Sequence, residues 1–219
     1  LLMTMAVDSA SGPEPVVLHF ALPLATPGAK VLDNWHTLGM RGTGSHDVVI
    51  EDVYVPEAAV SMRRPPGRWV PPLQLTQIIA LPLVLGCYLG VAESMRERAV
   101  AIAVKRVDTS EIFDIVGEMD TELASARIAH RDMVEAAEFT LEPGSDTLNR
   151  VFTDRTLVGR SVLRVAECAM EAAGGSAFYR AAGLERLFRD IQGVRYHRPQ
   201  ERMQLRYSSE LALGRKPNS

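Results

Sequence analysis

Beyond Leu73 comes one almost continuously apolar stretch and then two long ones in which the apolar residues recur every three or four positions. That period admits amphipathic helices and excludes strands, whose side chains alternate every two residues. The first stretch, Leu73 to about Lys105, is almost continuously apolar. In the second, Ile112, Val116, Met119, Leu123, Ala126, His130, Met133 and Ala137 form one stripe. The third runs through Val151, Phe152, Val158, Val162, Val165, Ala166, Ala169 and Met170 and stops at Gly174-Gly175, a normal helix terminator. Shorter helices are expected over Leu184 to Gln192 and Gln200 to Leu213. Long helices joined by short loops predict an up-and-down antiparallel bundle.

Residues 1 to 60 have a different texture. LLMTMAV, then VVLHFAL after the turn-forming SGPEP, then HDVVIEDVYV after the Gly-rich RGTGS read as strands. In His46 to Val55 the alternation slips once at Glu51-Asp52, which predicts a bulge on a curved sheet. RRPPGRWVPP, Arg63 to Pro72, can propagate neither a helix nor an interior strand. The fold class expected is therefore α+β: a β-domain over 1–62, a Pro-rich linker over 63–72 and a helical bundle over 73–219. A chain starting on Leu1 inside a strand suggests a fragment of a longer polypeptide.

Composition narrows the function classes. The 219 residues are 47% hydrophobic and 23% charged, as in ordinary globular proteins, and the net charge of -3 gives no reason to expect nucleic acid or an anionic membrane as partner. Cys87 and Cys168 lie in apolar runs without CxxC or His-rich neighbours, so neither a metal nor a disulfide framework is implied. A cytoplasmic location fits such thiols. The most apolar run, Ile78 to Val91, falls short of the roughly 20 residues that span a bilayer and is read as a buried helix. The N-terminus lacks the pattern of a signal peptide.

Two ordered motifs carry a family resemblance. Trp35 to Pro56, WHTLGMRGTGSHDVVIEDVYVP, and Gly183 to His197, GLERLFRDIQGVRYH with its ER-x-x-RD core, resemble the middle and last segments of the acyl-CoA dehydrogenase superfamily. The resemblance implies a partial β-barrel domain followed by the helical bundle of that superfamily's C-terminal domain, a flavin cofactor and oxidoreductase chemistry. The loop Leu38 to Asp47 reads on its own as a shaped connector. A strand follows it, whereas a phosphate-cradling Gly-rich loop precedes a helix. In the family this sheet meets the isoalloxazine, so the resemblance makes Arg41, Thr43 and Ser45 candidates for flavin or substrate contact.

The dehydrogenases of the family remove an α-proton with a glutamate in a Tyr-Glu-Gly loop. The similar tract here, Arg195 to Glu201, keeps Tyr196 but puts His197 at the glutamate's place. A second family position for the base falls on Thr76. Histidine at this site is similar to the monooxygenase branch, in which reduced flavin from a separate reductase reacts with O2 and the substrate is usually aromatic. An imidazole with a pKa near 6.5 can take a proton from a phenol at neutral pH. His197 and Tyr196 are thus the catalytic candidates. His130 sits on the apolar stripe as a core or interface histidine, His19, His36 and His46 lack ligand spacing, and Ser45, Ser161 and Ser176 lack a nucleophile elbow.

Family members that hold FAD carry Arg-x-x-Phe-Gly after the first long helix and Gln-x-x-Gly-Gly after the third. Here Lys105 and Arg106 offer cations without Phe-Gly, and Glu171 replaces the glutamine before Gly174 and Gly175. A carboxylate near phosphates is adverse, which favours FMN over FAD. Lys105 and Arg106 also suit a solvated helix end. The expected partners are a small-molecule substrate (an aromatic compound or an acyl-CoA), a flavin reductase and further copies in a dimer or tetramer, since the helices are apolar on more than one face. Two alternatives remain: an acyl-CoA dehydrogenase whose displaced base is Glu201, and a non-catalytic partner subunit.

Overall fold

The structure, a computed structural model, describes residues 1–10, 12–106, 110–139 and 143–217, without the side chains of Arg106, Glu138 and Phe139. Ser11 of the SGPEP turn and Val107, Asp108 and Thr109 lie outside the described residues. The chain divides into two compact units, Leu1–Thr37 with Arg41–Val70 and Pro217–Ser219, and Leu38–Met40 with Pro71–Lys216.

In the first unit β1 (Leu2–Asp8), β2 (Val16–Leu22) and β5 (Val60–Arg64) form an antiparallel sheet in the order β1-β2-β5, and β3 (Ala29–Val31) pairs with β4 (Val48–Ile50). Val17, Phe20 and Leu22 on the central strand are buried. The expected strand over His46 to Val55 is only Val48–Ile50, because Asp52 takes a positive φ of 53° and turns the chain out of the ladder. The register irregularity falls instead between His19 and Phe20. The strand β5 also runs into the expected linker as far as Arg64, and Pro65 stops it.

In the second unit α1 (Pro71–Ala103), α2 (Ser110–Phe139) and α3 (Ser145–Ala173) are long helices, followed by α4 (Leu184–Ile191) and α5 (Glu201–Ala212). Pro71 and Pro72 open α1, where their missing N–H groups cost nothing. Gly174 closes α3 with a φ of 58°, its N–H bonded back to Glu171 and Met170. The direction of each helix follows from its side-chain partners. Arg96–Asp120 at 2.7 Å and Arg127–Glu93 at 2.8 Å set α1 against α2, and Arg150–Asp132 and Arg164–Glu118 set α2 against α3, each pair antiparallel. These exposed pairs contribute little stability. Burial supplies it: Ile78, Leu85 and Met95 of α1, Met119 and Met133 of α2, and Phe152 and Val162 of α3 are fully enclosed. Tyr207 of α5 packs edge-on against Phe152 at 5.3 Å.

The apolar run expected at Ile78 to Val91 is part of a 33-residue helix, long and apolar enough by length and composition to cross a membrane. Its buried positions, Ile78, Leu81, Leu85, Tyr88, Ala92 and Met95, recur at helical spacing and face α2, α3 and α4 of the bundle. They form the face of α1 that packs in the bundle.

Candidate active site

The tract that follows α4 returns across the middle of α3. A 3-10 turn over Gln192–Arg195 leads to Tyr196 and His197, and the His197 N–H donates to the carbonyl of Gly193 at 3.1 Å. From α3, the Nη2 of Arg155 donates to the carbonyls of Val194 at 2.5 Å and His197 at 2.8 Å. From α1, the Tyr88 ring meets the His197 ring edge-on, with centroids 6.2 Å apart. Both backbone groups of His197 are thus held while neither ring nitrogen has a hydrogen-bond partner among the described residues. His197 is reached by solvent, yet the surrounding protein lowers its pKa below 6.5, burial first and the Arg155 charge second. The imidazole is therefore neutral at pH 7.

Arg155 is 3% exposed, and burial lowers its pKa below the usual arginine range without removing the cation at neutral pH. Its Nε has no partner among the described residues. Gly159 makes room beside it, since a Cβ there would lie 3.3 Å from Nη1. Arg155, Gly159 and Val194 also form one wall of a cavity of about 330 Å³, whose rim carries Arg160, Arg164 and Glu201. Tyr88 is 2% exposed, its hydroxyl lies against Gly193, and its pKa is raised by burial against the opposing field of Arg155.

Glu201 points elsewhere. It accepts from Arg160 at 2.6 Å, and that hydrogen bond holds its carboxyl below the usual range. Thr76 on the first turns of α1 donates back to the Pro72 carbonyl at 2.8 Å.

The two motifs interlock inside the helical unit. The Met40 N–H donates to Asp190 Oδ1 at 2.7 Å, and Arg189, held by Glu185 at 2.8 Å, donates to the Leu38 carbonyl at 3.1 Å. Gly39 is obligatory between them, because a Cβ would fall 2.1 Å from the Arg189 carbonyl oxygen. The ER-x-x-RD core therefore seats the Leu-Gly-Met segment.

The remaining candidates are spread out. Arg41 donates to the Thr37 carbonyl at 2.8 Å, and Ser45 to Thr43 at 3.1 Å, both on the surface of the β unit. His46 Nδ1 accepts the amides of Asn34 and Trp35, so this ring organises the loop. Lys105 is exposed just past α1, the Arg106 side chain lies outside the described residues, and Gly175 has open space about it. Because α1 and α3 run the same way, Lys105 and the Gly174-Gly175 pair share one end of the bundle. Nineteen residues of α3, roughly 28 Å at 1.5 Å each, separate that end from Arg155 and the His197 tract. Tyr196 is 72% exposed. Cys87 and Cys168 are free thiols, and no metal-binding cluster of His, Cys, Asp or Glu occurs among the described residues.

Sequence reasoning passed over Tyr88 and Arg155. Arg155 left a signal, the Asp154-Arg155 charge pair between Phe152 and Val158 on the buried stripe. Tyr88 left none, lying in a helix apolar on every side.

Comparison with known proteins places this arrangement. Residues 84–201 match the acyl-CoA dehydrogenase C-terminal domain. The amino sugar nitrososynthase DnmZ of Streptomyces peucetius is 30% identical over 200 residues, which cover 87% of this chain and 49% of that protein. KijD3, solved in complex with FMN and dTDP-3-amino-2,3,6-trideoxy-4-keto-3-methyl-D-glucose, superposes with a TM-score of 0.84 at 28% identity, covering 96% of this chain and 54% of that one. The nitrososynthase from Micromonospora carbonacea var. africana gives 0.84 at 25% identity over 97% of this chain and 56% of that one. The chain spans about half the length of these relatives. With its β unit, its bundle and its interlocked motifs, the chain belongs to the acyl-CoA dehydrogenase family.

Proposed function

We propose that the protein containing this chain is a reduced-flavin-dependent monooxygenase in which His197 takes up the proton released by the substrate. The observation that carries the reading is the contrast between His197 and Glu201. Among the described residues the neutral His197 ring has no hydrogen-bond partner, whereas Glu201, the nearest carboxylate in sequence, is bonded to Arg160 and is a weak base. A dehydrogenase needs a carboxylate at this place. The nitrososynthase activities of DnmZ and the Micromonospora protein, and the FMN held by KijD3, support the same reading.

At the shared end of α1 and α3, Lys105 would supply a cation and Gly175 an open backbone for the phosphate of a flavin held across a subunit interface, since this end lies roughly 28 Å along α3 from the same chain's His197. Glu171 at this end opposes additional phosphate and favours FMN. Reduced flavin supplies the two electrons with which O2 gives one oxygen atom to the substrate and one to water. His197 accepts the proton from the substrate N–H or O–H as the new bond to oxygen forms. Gly193, Val194 and Arg155 keep the ring in place, and Tyr88 closes one edge of it. The substrate is a small amino or aromatic compound. A flavin reductase, a homo-oligomer and a cytoplasmic setting complete the proposal.

The full-length protein, supplied with FMN, a flavin reductase, NADH and O2, is the test. Oxygenated product should form from an amine or phenol panel, and His197→Gln should lower its rate roughly 100-fold while flavin binding stays unchanged. Bleaching of bound flavin by an acyl-CoA in the absence of reductase and oxygenation would overturn the proposal.

A further inference from the structure

We propose that Arg155 is the positioning residue for His197, its Nη2 gripping the carbonyls of Val194 and His197 so that the tract and its imidazole stay in one place over the Tyr88 ring. The proposal rests on the reading of His197 given above.

A guanidinium is an uncommon occupant of a helix core. Burying a cation without a carboxylate partner costs several kcal/mol unless its donors are well used. Arg155 lies on the inward face of α3 between Phe152 and Val158, and its only hydrogen-bond acceptors among the described residues are the two carbonyls of the return tract. Val194 stands at one end of that tract and His197 at the other, so one nitrogen ties both ends of a four-residue segment. The carbonyl it holds at His197 belongs to the residue whose ring is left unbonded. The Gly193 carbonyl ties the same residue from its N–H side. A structural arginine would serve as well by pairing with any acid. Glu201, whose charge acts on Arg155, gives its hydrogen bond to Arg160 instead.

The arrangement also sets the charge around the ring. Arg155 of α3 is the charged group whose field acts on His197, Tyr88 of α1 is the titratable ring packed on its edge, and Arg195, Arg198 and Glu201 are the charged neighbours along the tract. A fixed cation 42 positions away in sequence favours the neutral imidazole, the form able to accept a proton.

The test uses the full-length protein with 13C-labelled histidine, the His197 signal being assigned by its loss in His197→Gln. Arg155→Met removes the charge and both donors while keeping most of the volume. Arg155→Lys keeps the charge and a donor. The wild-type His197 should titrate below pH 6.5, the Met variant should move the midpoint upward, and the Lys variant should bring it back. The oxygenation kcat should fall roughly 10- to 100-fold in the Met variant, more than KM changes, with partial recovery in the Lys variant. A wild-type midpoint at or above 6.5 overturns the proposal without any variant, which keeps it falsifiable if Arg155→Met does not fold. A folded Met variant with an unmoved midpoint, or a folded Lys variant no better than Met, overturns it too. Because the titration does not depend on turnover, an active His197→Gln enzyme would defeat the proposed function while leaving the hold of Arg155 on the tract separately measurable.

Discussion

Nε2 of His130 on α2 lies 2.9 Å from the carbonyl oxygen of Pro82 on α1. Proline inside a helix disturbs the local bonding of its turn, and an imidazole from the neighbouring helix reaches that turn here. The ring needs space, which Gly86 provides, since a Cβ there would stand 3.3 Å from Nε2. His130→Ala should therefore destabilise the chain by about 1 kcal/mol, and Gly86→Val by more, in urea unfolding monitored by circular dichroism. Neither change should affect the titration of His197.

The seat of Leu38–Met40 on α4 makes a second prediction. Asp190→Ala leaves the Met40 N–H without its acceptor, and Gly39→Ala forces a backbone shift against Arg189. Each should cost roughly 1–3 kcal/mol of stability. Hydrogen exchange should show the Met40 amide losing protection in Asp190→Ala, and a Met40 amide that stays protected would remove the role given to Asp190.

One buried carboxyl should make stability fall as pH rises from 3.8 through about 7. Burial first, and then the hydrogen bond and charge of Asp132, push the Asp154 pKa from 3.8 up to about 7, while Arg150 keeps Asp132 ionised and below its usual value. A raised folded pKa contributes stability that is complete below the unfolded value of 3.8 and is lost as pH rises through about 7. Asp154→Asn, which mimics the protonated form, should melt higher than wild type at pH 8.5 and at about the same temperature at pH 3.5.

Proton uptake by neutral His197 requires the acid limb of the rate to have its midpoint below pH 6.5, because burial and Arg155 lower its pKa. A kcat profile from pH 5 to 8 checks the limb. Glu201→Gln should leave that profile and the turnover nearly unchanged, and enoyl-CoA formation that disappears in this variant would favour the dehydrogenase instead.

The helices α2 and α3 were legible because their apolar residues repeat over about eight turns, and Gly174 ends α3 where the pattern stops. The β unit was harder to read. Val60–Arg64 carries two arginines and little alternation, Ala29–Val31 is too short to show a period, and the apparent continuity of His46 to Val55 conceals the turn at Asp52. The position of His197 could be read from its motif, but its surroundings could not. Tyr88 and Arg155 reach it from helices 109 and 42 residues upstream, and no local pattern records which face of one helix will meet which residue of another.

The clasp between Met40 and Asp190 closes a loop of 150 residues. Three antiparallel helices can form from contacts between neighbours in sequence, whereas this clasp must wait until α4 exists. On a ribosome, Leu38 and Met40 emerge long before their acceptor does. The Leu-Gly-Met segment thus spends most of synthesis without its seat, and its docking reports that the chain has been made through α4.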